Sequence, residues 1–139
     1  MADLSITAAQ VLPGADAILE HGTAGAAVTP GQPVYKDASD HKWKLADADS
    51  TSAIASARGV AVSQSAADGQ SISVQTGGTL TLGAGAGPAV GTIYVLSGTA
   101  GGIAPAADLA SGDRTTILGV GGATNTLKLS VYASDQQVP

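Results

Sequence analysis

The residues with the most chemical potential lie between Lys36 and Asp49, in the stretch KDASDHKWKLADAD. Asp37, Asp40, His41, Asp47 and Asp49 are all ligand types for a divalent cation. A calcium loop needs D-x-[DN]-x-[DN]-G followed by a later Glu, because that spacing turns the oxygens inward. The spacing is missing here. A zinc site needs several His or Cys ligands, and the other imidazole, His21, is remote in sequence. The stretch therefore reads as a solvated polar loop, with no metal expected. A second candidate is TLTLGAGAGPAVGTIYVLS, Thr79 to Ser97, with four glycines around Pro88. A phosphate loop of the G-x-x-x-x-G-K-[ST] type needs its Lys directly after Gly, yet none of Lys36, Lys42, Lys44 and Lys128 follows a glycine. A dinucleotide fingerprint opens a helix, but Gly87 is followed by Pro88 and the β-branched run TIYV. This segment reads as a bent connection between strands, and Leu118–Asn125 (LGVGGATN) reads the same way. No G-x-S-x-G elbow positions a nucleophile. The only glutamate is Glu20, and the aspartates sit in turn-like contexts. Neither an enzymatic activity nor a cofactor is expected.

The whole chain supports that reading. Its 139 residues fit one domain able to bury its own core. Hydrophobic residues reach 44% but aromatics only 3%, with no Phe, so the core must be built from small side chains. Nineteen glycines and six prolines make the chain turn often. Charged residues make up 12%, about half the usual share of a soluble domain. A surface so poor in charge suits a protein that covers itself with partners. The net charge is −5 with only six scattered Lys and Arg, which argues against nucleic-acid binding, since that rests on cations displacing counterions. The absence of Cys fits folding in a reducing cytoplasm. The start, MADLSITAAQ, lacks the basic and apolar regions of an export signal. No apolar run approaches the length of a membrane helix.

The elements predicted to carry these residues are mostly strands. Residues 1–10 form an arm or edge strand, with Leu4 and Ile6 alternating against Ser5 and Thr7. Residues 11–133 form one β-rich domain, and residues 134–139 a frayed tail. The segment ADAILEHG is a strand or a short helical turn ended by Gly22. Pro33 sets Val34 and Tyr35 on an edge or starting strand. One short helix is expected at about residues 50–57, capped by Asp49 or Ser50 and ended by Gly59. Strands follow in GVAVSQ, in QSISVQT (Ile72 and Val74 on one face) and in TLTL, with Gly77-Gly78 as a tight reversal between the last two. In TIYVLS both faces are apolar, so this strand is buried on two sides or meets a partner. Residues 98–113 read as a long loop. A closing hairpin turns Leu127, Leu129 and Val131 inward, Lys128 and Ser130 outward. The fold class is mainly β: a compact small barrel or sandwich-like domain with one short helix and long Gly/Ala-rich loops. Trp43, between two lysines, is an interface anchor or a local core plug. Tyr35, Tyr94 and Tyr132 face the same choice, and their context favours packing.

In order along the chain, TPGQPVYKDAS, the Ala-rich helix, RGVAVSQSAADGQSISVQTGG, GTIYVLSGTAGGIAP and ILGVGGATNTLKLSV resemble tailed-phage head decoration proteins, the capsid cement family. The matching positions include Gly31, Gln32, Val34 and Tyr35; Gly59 to Ala61; Asp68 and Gly69; Gly91, Tyr94, Leu96 and Ser97; and Leu118 to Val120. The resemblance implies a structural virion protein that binds the outside of a phage head and clamps neighbouring capsomers. Its partners would be the major capsid protein and itself, as a homotrimer or alternatively a dimer. It would be made in the host bacterial cytoplasm and would need no cofactor. Contacts with the shell are then expected at Leu4, Ile6 and Trp43, and contacts within the oligomer at Tyr35, Tyr94 and Leu96. The arm could add as a strand to the capsid protein's sheet or pair with its own. Competing readings are a tail, fibre or adhesin module, or a carbohydrate-binding module; the latter usually offers more exposed aromatic rings than this chain can supply.

Overall fold

A computed structural model describes residues 3–83, 88–122 and 125–139. The fold class read from the sequence is the one observed: a mainly β domain with one short helix, its antiparallel sheet curled into a half-barrel. The strands are β1 (Leu12–Pro13), β2 (Ile18–Thr23), β3 (Pro33–Lys36), β4 (Trp43–Leu45), β5 (Gly59–Ala61), β6 (Ser71–Thr81), β7 (Ile93–Leu96), β8 (Ile103–Pro105), β9 (Arg114–Gly122) and β10 (Thr126–Gln137). The helix α1 is Ser52–Ala55.

Strand β6 is the spine. Val74 and Gln75 pair with β2 on one side and β5 on the other, Gly77 with β2 and β10, and Leu80 and Thr81 with β1 and β10. So β2 and β1 run end to end along one edge of β6, while β5 and β10 follow each other along the opposite edge. From β5 the sheet continues through β3 to β4, and from β10 through β9 and β7 to β8. At one end the curl is completed by a bridge from Ala24 to Trp43, where the Gly25 N–H donates to the Trp43 carbonyl at 2.7 Å.

The sequence predicts a reversal at Gly77-Gly78, yet β6 runs straight through it. Between Ile18 and Leu19, the partner residues on β6 step from Gly77 to Gln75, so β6 uses one extra residue there. Such a bulge moves every later side chain to the opposite face. Ile72 and Val74 accordingly point into a smaller core with Ala24, Val28, Val34, Trp43 and Ala61. Leu80 and Leu82, at the same even spacing, point into a larger core with Tyr94, Leu96, Ile103, Leu118, Leu127 and Leu129. Gly78 has φ +86° and lies so close to Asp16 that a Cβ would collide with its carbonyl oxygen. Buried Gln75 secures the bulge, its side-chain N–H groups donating to the Gly77 and Thr79 carbonyls at 3.0 Å each. β3 and β5 form the wall between the cores: Val34 and Ala61 face the smaller one, Tyr35 and Val60 the larger.

Other boundaries differ for tertiary reasons. Over its described residues, 3–10, the arm forms no strand. It forms a 3-10 turn at Ala8–Gln10 and one hydrogen bond to a β8 edge, from the Leu4 N–H to the Ile103 carbonyl. The helix is four residues long, with Thr51 rather than Asp49 or Ser50 at its N-cap and no side-chain cap; the Asp49 N–H donates to the Asp47 carboxylate in the turn before it. Its end is set by the chain's return into β5, where the Arg58 N–H donates to the Val34 carbonyl. The expected loop after Ser97 contains β8 and a 3-10 turn at Ala106–Asp108. The tail is not frayed. Strand β10 continues to Gln137, Arg114 pairs with Asp135 at 2.9 Å, and the Val138 N–H donates to the Asp113 carbonyl.

Candidate functional site

The polar stretch forms the β3–β4 hairpin loop. Asp37 and Lys42 close it through the Asp37 N–H and Lys42 carbonyl, and His41 takes φ +58° at the corner. Asp37 Oδ1 accepts from both the N–H and the hydroxyl of Ser39, and Asp40 Oδ1 accepts from the Lys42 N–H. Lys44 Nζ lies 2.8 Å from Asp37 and 3.1 Å from Asp40. Its ammonium, with the Ser39 donors, holds the Asp37 carboxyl far below the usual range, and the two carboxylates push Lys44 up. These carboxylates build a turn. His41 points to no shared ligand set, and among the described residues no three His, Asp or Glu side chains are placed to hold a metal ion.

The glycine segments join strands. The first links β6 to β7, which lie apart in the sheet, and Gly85 and Gly87 fall outside the described residues. In the second, Gly119 and Gly121 lie within β9 itself, where a Cβ would strike the Lys128 and Ala89 carbonyls. They permit close backbone approach within β9, and residues 123–124 of this segment fall outside the described residues.

A cleft of about 290 Å³ gathers Asp3, Asp49, Asp108, Asp113 and Ser97 from the arm, two loops and the end of β7. The Ser97 hydroxyl donates to Asp3 Oδ1 at 2.6 Å and accepts the Thr99 N–H. A carboxylate is too weak a base to activate an alcohol unaided, and neither histidine lines the cleft. This Ser–Asp contact instead tethers the arm, and Asp113 accepts the Ala110 N–H to close its own loop.

Of the six contact residues expected from the sequence, Trp43, Tyr35, Tyr94 and Leu96 are buried, and Leu4 and Ile6 are half-buried. Trp43 is only 1% exposed and fills the smaller core, its ring edge against Gly22, where a Cβ would lie 2.7 Å from Nε1. Lys36 and Arg58 lie 5.8 and 5.7 Å from its ring centroid, so the cations cover the ring. Gly22 therefore does not end β2; it makes room for the indole. Tyr35, Tyr94 and Leu96 belong to the larger core, with the Tyr94 hydroxyl accepting the Ala89 N–H at 2.8 Å. Leu4 and Ile6 pack against the same core, Ile6 over Gly31. Trp43, Tyr35, Tyr94 and Leu96 are thus buried within the one chain, whereas Leu4 and Ile6 keep part of their surface exposed.

Among the described residues, the outer face of the β1/β2–β6–β10–β9–β7 sheet is open. Pairing places Leu12, Thr81, Thr126 and Gly122 in one row, and Thr79, Lys128, Val120 and Ile93 in the next. Leu12 and Ile18 flank this face on one side and Ile93 and Val120 on the other, all four exposed. Threonines, Ser130 and Lys128 fill the middle. Sequence alternation pointed to Lys128 and Ser130 as outward. It missed the aliphatic flanks, because the bulge in β6 and the pairing of distant strands decide which face each residue takes. No family model, curated protein or solved structure matches the chain.

Proposed function

We propose that this protein is a structural component of a phage virion that binds the outer surface of the head and clamps neighbouring capsomers. The observation that carries this reading is the ordered series of strand-and-glycine motifs from Gly31 to Val120 that resembles the capsid cement family. The physical character of the domain supports it. The fold is a stiff β-framework with two cores, few charges and a broad outer face carrying Leu12, Ile18, Ile93 and Val120. Low charge lowers the desolvation cost of covering such a face. Assembly as a homotrimer would let one particle hold several capsid subunits at once, so that release from one subunit is quickly followed by rebinding.

The outer face, not the buried aromatics, is the surface assigned to the shell. The test mixes purified protein with phage heads lacking their decoration protein, then sediments and images them. Wild-type protein is expected on the heads, and a double variant, Val120→Asp with Ile93→Asp, is expected to stay in the supernatant. Wild-type protein that fails to bind would overturn the reading in favour of another virion or cell-surface module.

A further inference from the structure

The turn at Asp68-Gly69 joins two features that favour an intramolecular reaction. The Asp68 side chain is 63% exposed, and a Cβ at residue 69 would meet nothing within 4 Å. A glycine after aspartate leaves its backbone nitrogen sterically open to the aspartate carboxyl. Attack of the Gly69 nitrogen on the Asp68 side-chain carbon forms a C–N bond and expels the carboxyl oxygen as water. Water then reopens the resulting succinimide. Opening at the original main-chain carbonyl leaves the chain running through the side-chain carbons as isoaspartate. One water leaves and one returns, with no oxidant or cofactor.

Two contacts oppose that reaction here. Lys42 Nζ anchors the Asp68 carboxylate at 2.9 Å. The Gly69 N–H donates to the Ala24 carbonyl at 2.8 Å, and the Ala24 N–H donates back to the Gln70 carbonyl at 2.8 Å. Ala24 is also the residue that bridges to Trp43 and completes the curl of the sheet at that end. An isoaspartate adds a methylene to the backbone just before this reciprocal pair. It would pull Gly69 and Gln70 out of register with Ala24.

We propose that Asp68-Gly69 is a latent isoaspartate-forming site, restrained by Lys42 and Ala24, whose conversion loosens the seam beside Trp43. The experiment ages wild-type protein, Lys42→Ala and Asp68→Glu at physiological pH and temperature, beside a peptide spanning residues 64–72. Isoaspartate is measured by enzymatic carboxyl methylation and located by mass spectrometry. Wild type is expected to convert about tenfold more slowly than the peptide, since ring closure needs a local opening. Lys42→Ala is expected to convert several-fold faster than wild type, and Asp68→Glu to give no product in this segment. The converted fraction is expected to show red-shifted Trp43 emission and a lower urea midpoint. Equal rates for wild type and Lys42→Ala, or no product at residue 68 in either once the peptide has converted, would overturn the site. Unchanged emission in the converted protein would overturn its coupling to the seam.

Discussion

At the scale of single residues, Trp43 and the Lys44 ion pairs show how side chains of functional appearance are used for the fold. Trp43 is the only Trp and is almost fully buried. Its native emission is expected to be blue-shifted and resistant to acrylamide, and both properties should disappear on unfolding. Trp43→Ala is expected to lower stability by about 3–5 kcal/mol in urea melts, because small neighbours such as Ala24 and Ala61 cannot close the cavity. An effect under about 1 kcal/mol would contradict the burial seen here, being typical of surface sites. The Lys44–Asp37 pair gives a pH dependence. Lys44 foremost, then the Ser39 donors, holds the Asp37 carboxyl below its ordinary 3.8. Its contribution is therefore complete above that value and lost as pH falls below it. Lys44 is shifted upward from 10.5, so its share is present below that value and is lost only as pH rises past it. Acid titration of the unfolding midpoint should fall more steeply below pH 3.8 for wild type than for Asp37→Asn. Parallel curves would show that the pair contributes nothing.

At the scale of elements, the bulge in β6 is the decisive feature. Gly78→Ala faces both φ +86° and a collision with the Asp16 carbonyl, so it is expected to cost more than the roughly 1–2 kcal/mol of a left-handed alanine alone. Gly69→Ala has φ +94° but open space around it, and should cost only that backbone increment. Denaturant melts of the two variants separate the collision from the strain, and equal losses would mean that the bulge relaxes freely. The sequence showed two extended runs, 70–76 and 79–82, because Ile72, Val74, Leu80 and Leu82 alternate with polar residues. It could not show that the two alternating runs belong to one strand. Gly-Gly serves a reversal and a bulge equally well, and only pairing with β2 and β10 distinguishes them.

At the scale of the whole molecule, the two cores share β6, β5 and β3. Neither can lose its packing without exposing the wall between them. Unfolding is expected to be a single transition, with Trp43 fluorescence from the smaller core and far-ultraviolet dichroism from the whole sheet giving the same midpoint. Separate midpoints would mean that the smaller core opens independently. Among the described residues, the same arrangement leaves one broad sheet face without a covering layer, and on that face the proposed attachment to a shell depends.

The sequence by itself determined the fold class, the small-residue character of the core, the extended segments, the hairpin of Leu127 and Leu129, and the absence of the spacings that nucleotide or calcium loops require. These follow from local periodicity, composition and turn chemistry, which a chain carries wherever it folds. Tertiary structure alone decided that Trp43, Tyr35, Tyr94 and Leu96 point inward, that the arm and tail are tied down, and that Leu12, Ile18, Ile93 and Val120 share an open face. Those outcomes depend on which distant strands pair and where one extra residue shifts the alternation. Pairing energy is summed over residues far apart in the chain, and no local pattern encodes it.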